Sequence, residues 1–209
     1  KSGATGDESG ERGDDLDYVE LFMPEPTLDQ PCDLPAEGEA LSQETLDSTS
    51  SYVGNKTSTA MTPDSCGAVA YIDETNNVVR FGIFYKGKWS TEVVYEYVGD
   101  DNRVKDVSIT IDAGGVPHIA ISDSDSAGAS DIYYATKVDG DWSNSALNEF
   151  SQNSIANSIE VDSDGNLYIV FQGYRTFGTD LWGDVYAITC SSAQLSLIHI
   201  SEPTRHTQI

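Results

Sequence analysis

Basic residues are scarce: Lys and Arg total 11 against 35 Asp and Glu, a formal net charge of −24. A field of that sign repels phosphate backbones and anionic lipid surfaces, which argues against nucleic acid as a partner. The plain consequence of such acidity is solubility, as in exported or salt-exposed proteins. Long apolar runs are also missing, and none approaches the ~18 residues that a membrane-crossing helix needs. Cysteine and histidine number three each, and no Cys/His spacing of the zinc-binding kind occurs. No secretory signal is visible, but the chain starts at Lys1 with no initiator Met, so nothing about export follows from that end.

Glycine (18) and tyrosine (11) are plentiful, and a hydrophobic share of 38% over 209 residues can still fill a core. Short apolar runs between glycines favour strands and turns over helices. The two ends differ from the middle. Residues 1–48 hold 14 of the 35 acids and only two bases, with Gly, Ser, Thr and Pro filling much of the rest. That is too little apolar surface to offset ordering entropy, so most of this leader is expected to be disordered, with Tyr18–Met23 as a short extended exception. Its composition resembles the tethers of bacterial surface lipoproteins, which would imply lipid-anchored attachment. At the other end, Leu195–Arg205 resembles a translated sequencing-library adaptor, so residues 191–209 are expected to be a non-native tail.

Between the ends lies a repeat of about fifty residues. Val107–Gly115 and Ser158–Asn166 each run as an alternating apolar strand into a Gly-containing turn, with Asp112 and Asp162 at matching places. Second strands follow at Pro117–Ile121 and Leu167–Phe171, and third strands at Asp131–Thr136 and Gly183–Thr189. An earlier copy has strands at Thr57–Thr62, Ala68–Asp73 and Val78–Tyr85. Its third strand ends in Lys86-Gly87-Lys88-Trp89, matched by Asp139-Gly140-Asp141-Trp142, and leads into a fourth at Glu92–Tyr97. Period-two alternation excludes helices, and turns at fixed spacing speak against an immunoglobulin-like sandwich. Four short antiparallel strands per fifty residues predict an all-β, partial β-propeller over 49–190, with blades at 49–98, 99–150 and 151–190. The third blade is expected to lack a fourth strand. Three blades do not close a ring, so the chain reads as the front of a larger protein.

The chain resembles propellers with bacterial neuraminidase-type repeats. The resemblance rests on Asp162-Ser163-Asp164-Gly165-Asn166-Leu167-Tyr168, on Tyr52–Ser58 and on the Gly-x-Trp turns, and it covers residues 51 to about 190. The full sialidase Asp box, Ser-x-Asp-x-Gly-x-x-Trp, is absent; Thr136–Trp142 occupies the same turn with altered spacing. The resemblance implies a sialidase-like glycoside hydrolase as one function. Such an enzyme needs three arginines for a carboxylate substrate, and the only arginines outside leader and tail are Arg80, Arg103 and Arg175. Arg103 and Arg175 fall in loop positions, whereas Arg80 lies inside a third strand as a solvated residue.

Other candidates are read from residue type. Asp123, Asp125 and Asp131, and separately Asp162 and Asp164, place hard oxygens in tight loops as Ca²⁺ prefers. The same residues are ordinary turn formers. Cys32 and Cys66 either form a disulfide that staples leader to propeller in an oxidising compartment or remain free buried thiols, with Cys190 left over. His118 alternates with Ile119 and Ile121 as a structural histidine, and Trp89 and Trp142 repeat as packing residues. Gly173–Gly183 reads as a loop that breaks the repeat, and its Tyr174, Arg175, Phe177 and Trp182, with Arg103, are the expected ligand contacts. The leading expectation is an exported or cell-surface propeller that binds a glycan or a protein through its loops, without catalysis. The alternatives are the hydrolase, completed by further blades, and a structural segment of an adhesin.

Overall fold

A computed structural model describes residue 32 and residues 43–48, 52–97, 104–124, 130–150, 154–177, 180–191 and 194–198. No helix occurs among them. Twelve strands form three four-stranded antiparallel sheets, each a simple meander. Sheet one holds β1 (Val53–Met61), β2 (Gly67–Asp73), β3 (Val78–Tyr85) and β4 (Lys88–Glu96). Sheet two holds β5 (Val104–Ile111), β6 (Pro117–Ser124), β7 (Ser130–Val138) and β8 (Asp141–Phe150), and sheet three holds β9 (Ser154–Val161), β10 (Leu167–Phe177), β11 (Asp180–Ser191) and β12 (Gln194–Ile198). These are the blade-like units of a partial propeller.

Two differences from the sequence expectation stand out. The first strand starts at Val53 rather than Thr57, because Gly54 takes φ 81° and the register slips between Val53 and Thr57 as a bulge. The fourth place in sheet three, expected to be vacant, is taken by β12, which pairs with β11 at Thr189–Ile198 and Ser191–Gln194. An exposed β11 edge recruits whatever extended segment follows it, since unpaired backbone groups accept any strand. Tyr18–Met23 lies outside the described residues.

The fifty-residue period is written most plainly in the turns between first and second strands. Thr62, Asp112 and Asp162 occupy the same place. The backbone N–H of each donates to the carbonyl four residues on (Cys66, Val116, Asn166; 2.9–3.0 Å), and each carbonyl accepts from the N–H of Ser65, Gly115 or Gly165. Each side-chain oxygen then accepts the N–H of Cys66, Val116 or Asn166 at 2.8–2.9 Å. The turn forces φ of 61° at Ser65 and 81° at both glycines. Only the first copy places a side chain in that left-handed conformation. The β3–β4 and β7–β8 turns, Lys86-Gly87 and Asp139-Gly140, have positive φ at both residues, the two-residue hairpin geometry whose twist matches the flanking strands.

The sheets stack face to face, with the first strands β1, β5 and β9 adjacent in series and the second and third strands adding apolar contacts. Ala68, Ala70, Ile72, Val79 and Phe81 of sheet one meet Val107, Ile109, Ile119, Ile121 and Ala135 of sheet two. The opposite face of sheet two, with Ala120, Ile132, Tyr134 and Leu147, meets Ile159, Leu167, Ile169, Phe171, Ile188 and Cys190. Polar struts align the inner strands. Ser58 Oγ accepts the Ile109 N–H at 3.2 Å, and one period on, Ser108 Oγ donates to Asn157 Oδ1. Asn157 N–H donates to Asp106 at 2.7 Å, and its Nδ2 donates to Ser122 Oγ at 2.8 Å.

Part of the leader packs on the outer face of sheet one. Cys32 is buried and disulfide-bonded to Cys66, with Cα atoms 5.0 Å apart. Leu46 covers Gly82, where an added Cβ would sit 3.2 Å from its Cδ1. The Tyr71 hydroxyl donates to Asp47 at 2.7 Å, and Arg80 Nε lies 3.2 Å from Asp73 and 3.7 Å from Asp47. Arg80 is therefore not the solvated sheet residue expected from sequence. Its guanidinium is held between two carboxylates. Burial first, then the bond to Asp47, pushes the Tyr71 phenol well above its ordinary range.

Two outcomes follow. Replacing Ser65 by Gly relieves a left-handed side chain worth about 1–2 kcal/mol and adds roughly 0.5–1 kcal/mol of unfolded-state freedom, so thermal denaturation should show a net gain of about 0.5–1 kcal/mol. Reducing the Cys32–Cys66 bridge, which closes a loop over a separation of 34 residues, should cost about 3–4 kcal/mol, read as a lower denaturation midpoint with and without reductant.

Candidate functional site

At the end of the stack that carries the β1–β2 and β5–β6 turns, sheets one and two leave a cleft. One hollow of about 390 Å³ is lined by Phe81, Ile83, Ser90, Thr91, Glu92, Gly115, Pro117 and Lys137. A second, of about 420 Å³, is lined by Thr62, Pro63, Asp64, Cys66, Ile83, Tyr85 and residues 113–115. The two share Ile83 and Gly115, so they adjoin. Residues 113–115 line the second hollow together with Pro63 and Ile83.

The first hollow combines an ion pair with an apolar floor. Lys137 Nζ from β7 lies 2.5 Å from Glu92 Oε1 on β4, joining the two sheets. The same ammonium sits 5.4 Å from the Trp142 ring centroid and 5.8 Å from that of Phe81. Phe81 and Trp142 meet edge to face at 5.5 Å. Both members of the pair keep substantial exposure, 39% for Glu92 and 28% for Lys137, so their remaining hydrogen-bonding capacity faces the cleft mouth. Neither residue carries a signal in the sequence. They lie 45 positions apart on different repeats and meet only because the sheets stack.

The expected ligand contacts sit elsewhere. Gly173–Gly183 is not a loop but the continuation of the β10–β11 hairpin, with Tyr174 across from Gly183, Arg175 from Trp182, Thr176 from Leu181 and Phe177 from Asp180. β10 and β11 run 11 and 12 residues, against 7 and 8 for β2 and β3, so this hairpin outreaches its counterpart. Its aromatic residues are strand formers, a signal that outweighs the flanking glycines. In the meander the hairpin lies at the end of sheet three opposite the Asp162 turn. Arg103 lies outside the described residues. Of the three arginines, Arg80 is engaged by Asp47 and Asp73.

The metal candidates fall in two places, on β6 and β7 and in the β9–β10 turn. Asp123 is buried, and its Oδ2 accepts the Tyr95 hydroxyl at 2.8 Å, a strut between sheets two and one. Burial, then the bond to Asp123 and its charge, drives the Tyr95 phenol far upward. Asp131 pairs with Asp123 in the β6–β7 register, and Asp125 lies outside the described residues. Asp162 is engaged by its own turn: Oδ1 accepts the Asp164 and Asn166 N–H groups (2.9 and 2.8 Å), and Oδ2 accepts Asn166 Nδ2 (2.8 Å) and the Tyr168 hydroxyl (3.1 Å). Among the described residues no three His, Cys, Asp or Glu side chains converge as a metal cluster. His118 joins Tyr134 through Nδ1 (2.6 Å) and Asp112 through Nε2 (3.3 Å), an anchored core histidine.

No family model matches the chain, and no curated protein matches it. Among solved structures it is similar to a fucose lectin from Kordia zhangzhouensis in complex with methyl-fucoside, at 12% identity and a TM-score of 0.45, over 71% of this chain and 99% of that one. A likeness of that size carries neither a residue nor a ligand across.

The turn carboxylates set an acid limit. The Asn166 side-chain amide, then its N–H, hold the Asp162 carboxyl below the ordinary range. For Asp112 burial opposes ionisation, but the Val116 N–H and His118 outweigh it and the carboxyl is again lowered. A depressed folded pKa means the contribution is complete above the unfolded value near ~3.9 and is lost as pH falls through the folded one. The denaturation midpoint should therefore drop on acidification below about pH 4, and the drop should be shallower in Asp162→Asn.

Proposed function

We propose that this chain is an exported or cell-surface binding scaffold that takes a saccharide in the cleft between sheets one and two. The observation that carries the reading is the Glu92–Lys137 pair in one hollow with the apolar Phe81, Ile83 and Pro117. A carboxylate and an ammonium 2.5 Å apart can accept from and donate to neighbouring hydroxyls at once, while the apolar floor meets the C–H face of a sugar ring. Ser90 and Thr91 add hydroxyls at the rim. The hollow is of the size that holds a small ligand. Export is supported by the Cys32–Cys66 bridge, which persists in oxidising compartments. No helix among the described residues is long and apolar enough to cross a membrane. A lipid-tethered leader remains part of the proposal on composition alone.

The test is a glycan array followed by calorimetric titration of the strongest hit. Glu92→Ala should weaken binding by roughly tenfold or more, about what loss of a charge-assisted hydrogen bond costs. Arg175→Ala with Trp182→Ala should leave it unchanged. An array without hits, or loss confined to the hairpin variant, would overturn the cleft as the seat.

A further inference from the structure

Where β3 and β4 face sheet two, they present an apolar row beside a polar one. Directly opposite residues of antiparallel strands point to the same side, and every second residue repeats it. Phe81 stands across from Glu92, Ile83 from Ser90 and Tyr85 from Lys88. β3 thus lays Phe81, Ile83 and Tyr85 in one line, and β4 sets Glu92, Ser90 and Lys88 in a second line beside it. Phe81 and Ile83 line the first hollow and Ile83 and Tyr85 the second, so the apolar row runs lengthwise through the cleft. At ~3.3 Å per residue, the line from Phe81 to Tyr85 spans about 13 Å. The two hollows, of about 390 and 420 Å³, are therefore successive stations on one groove.

The ends of the groove differ. At one end Phe81 is buried, and Glu92 and Lys137 supply charged hydrogen-bonding groups. At the other, Tyr85 is 49% exposed beside the Lys86-Gly87 turn, with Lys86 Nζ 5.3 Å from its ring centroid. A half-exposed aromatic ring offers a face for stacking and a hydroxyl at its tip. Charge narrows the occupant further. Lys137 balances Glu92, and Lys86 and Lys88 stand at the Tyr85 end, where Asp64 lines the second hollow. The groove is thus close to balanced in charge within a chain of net charge −24. An acidic polymer would meet the repulsion of the whole chain, and a basic one would find acids everywhere and no preference for this groove. A neutral ligand with an apolar face and a hydroxyl-bearing edge matches the two rows.

We propose that the cleft is a groove for a neutral oligosaccharide rather than a single sugar, lying along β3 from the Glu92–Lys137 pair to Tyr85. This rests on the saccharide reading of the cleft and adds to it the ligand's length, direction and charge. Each hollow alone is of a size that holds a small ligand, so the two in series take more than one unit. The C–H faces of successive rings lie on Phe81, Ile83 and Tyr85, and their hydroxyls meet Glu92 and Ser90 along the polar row.

Calorimetric titration of the full oxidised chain with gluco-, manno- and galacto-oligosaccharides of one to four units, and with oligogalacturonides of the same lengths, tests this. In the neutral series that binds, affinity should rise roughly tenfold or more from one unit to three and then level off. Oligogalacturonides should bind more weakly than neutral chains of equal length at low ionic strength. Tyr85→Ala should remove most of the gain with length while leaving the single sugar's affinity unchanged, and Tyr85→Phe should keep the gain. Tyr85 is half exposed, so both variants should keep the wild-type denaturation midpoint. Glu92→Ala should weaken every length alike, which reports on the saccharide reading itself. Affinity independent of length, a gain that survives Tyr85→Ala, or a preference for the acidic series would overturn the groove while leaving the cleft a sugar site. No binding in any series would overturn both.

Discussion

The stack depends on sheet two being apolar on both faces. Ile119 and Ile121 point one way along β6 and Ala120 and Ser122 the other, and all four are fully buried. A strand covered on one side only would alternate apolar with polar, and β6 departs from that pattern because it has neighbours on both sides. Removing a side chain such as Ile121 would leave a cavity between sheets rather than within one, so each sheet's integrity is tied to its neighbour's. The inner-strand struts from Ser58 and Ser108 then set how the sheets align.

From this stacking the remaining features follow by position in the series. Among the described residues the outer face of the first sheet is covered by a short piece of the acidic leader, held by Leu46, Asp47 and the disulfide. Terminal units of repeat proteins meet the same need, since a repeat cannot solvate the face its neighbours bury. Among the described residues the last sheet has no such cover, and Tyr168, Val170 and Val185 are exposed. Between these ends, the cleft with Glu92 and Lys137 lies where sheets one and two meet beside Gly115 and Pro117. Cleft, covered face and bare face are thus three results of one packing scheme.

Much of the architecture was legible in the residues. The 50-residue spacing of Asp112 and Asp162, and the glycine turns before Trp89 and Trp142, reported backbone requirements that are local and repeat with the chain. Thr62 in place of the aspartate and Ser65 in place of the glycine hid the first copy of that turn, yet the same hydrogen bonds form. The Gly173–Gly183 stretch was misread because glycine suggested a break, whereas paired strands extended through it. The site was far less legible. Arg80 looked free in the sequence, and only the fold shows that a leader carboxylate and Asp73 hold it.

The sequence by itself determined the strands, their turns and their period, since these rest on alternation and on φ preferences that each residue carries with it. The tertiary structure alone decided which faces are buried, what the leader covers, and which acid meets which base. Those outcomes depend on contacts between residues dozens of positions apart, such as Glu92 with Lys137 and Tyr95 with Asp123. No local preference encodes such pairs; they exist only once apolar faces have brought whole sheets together.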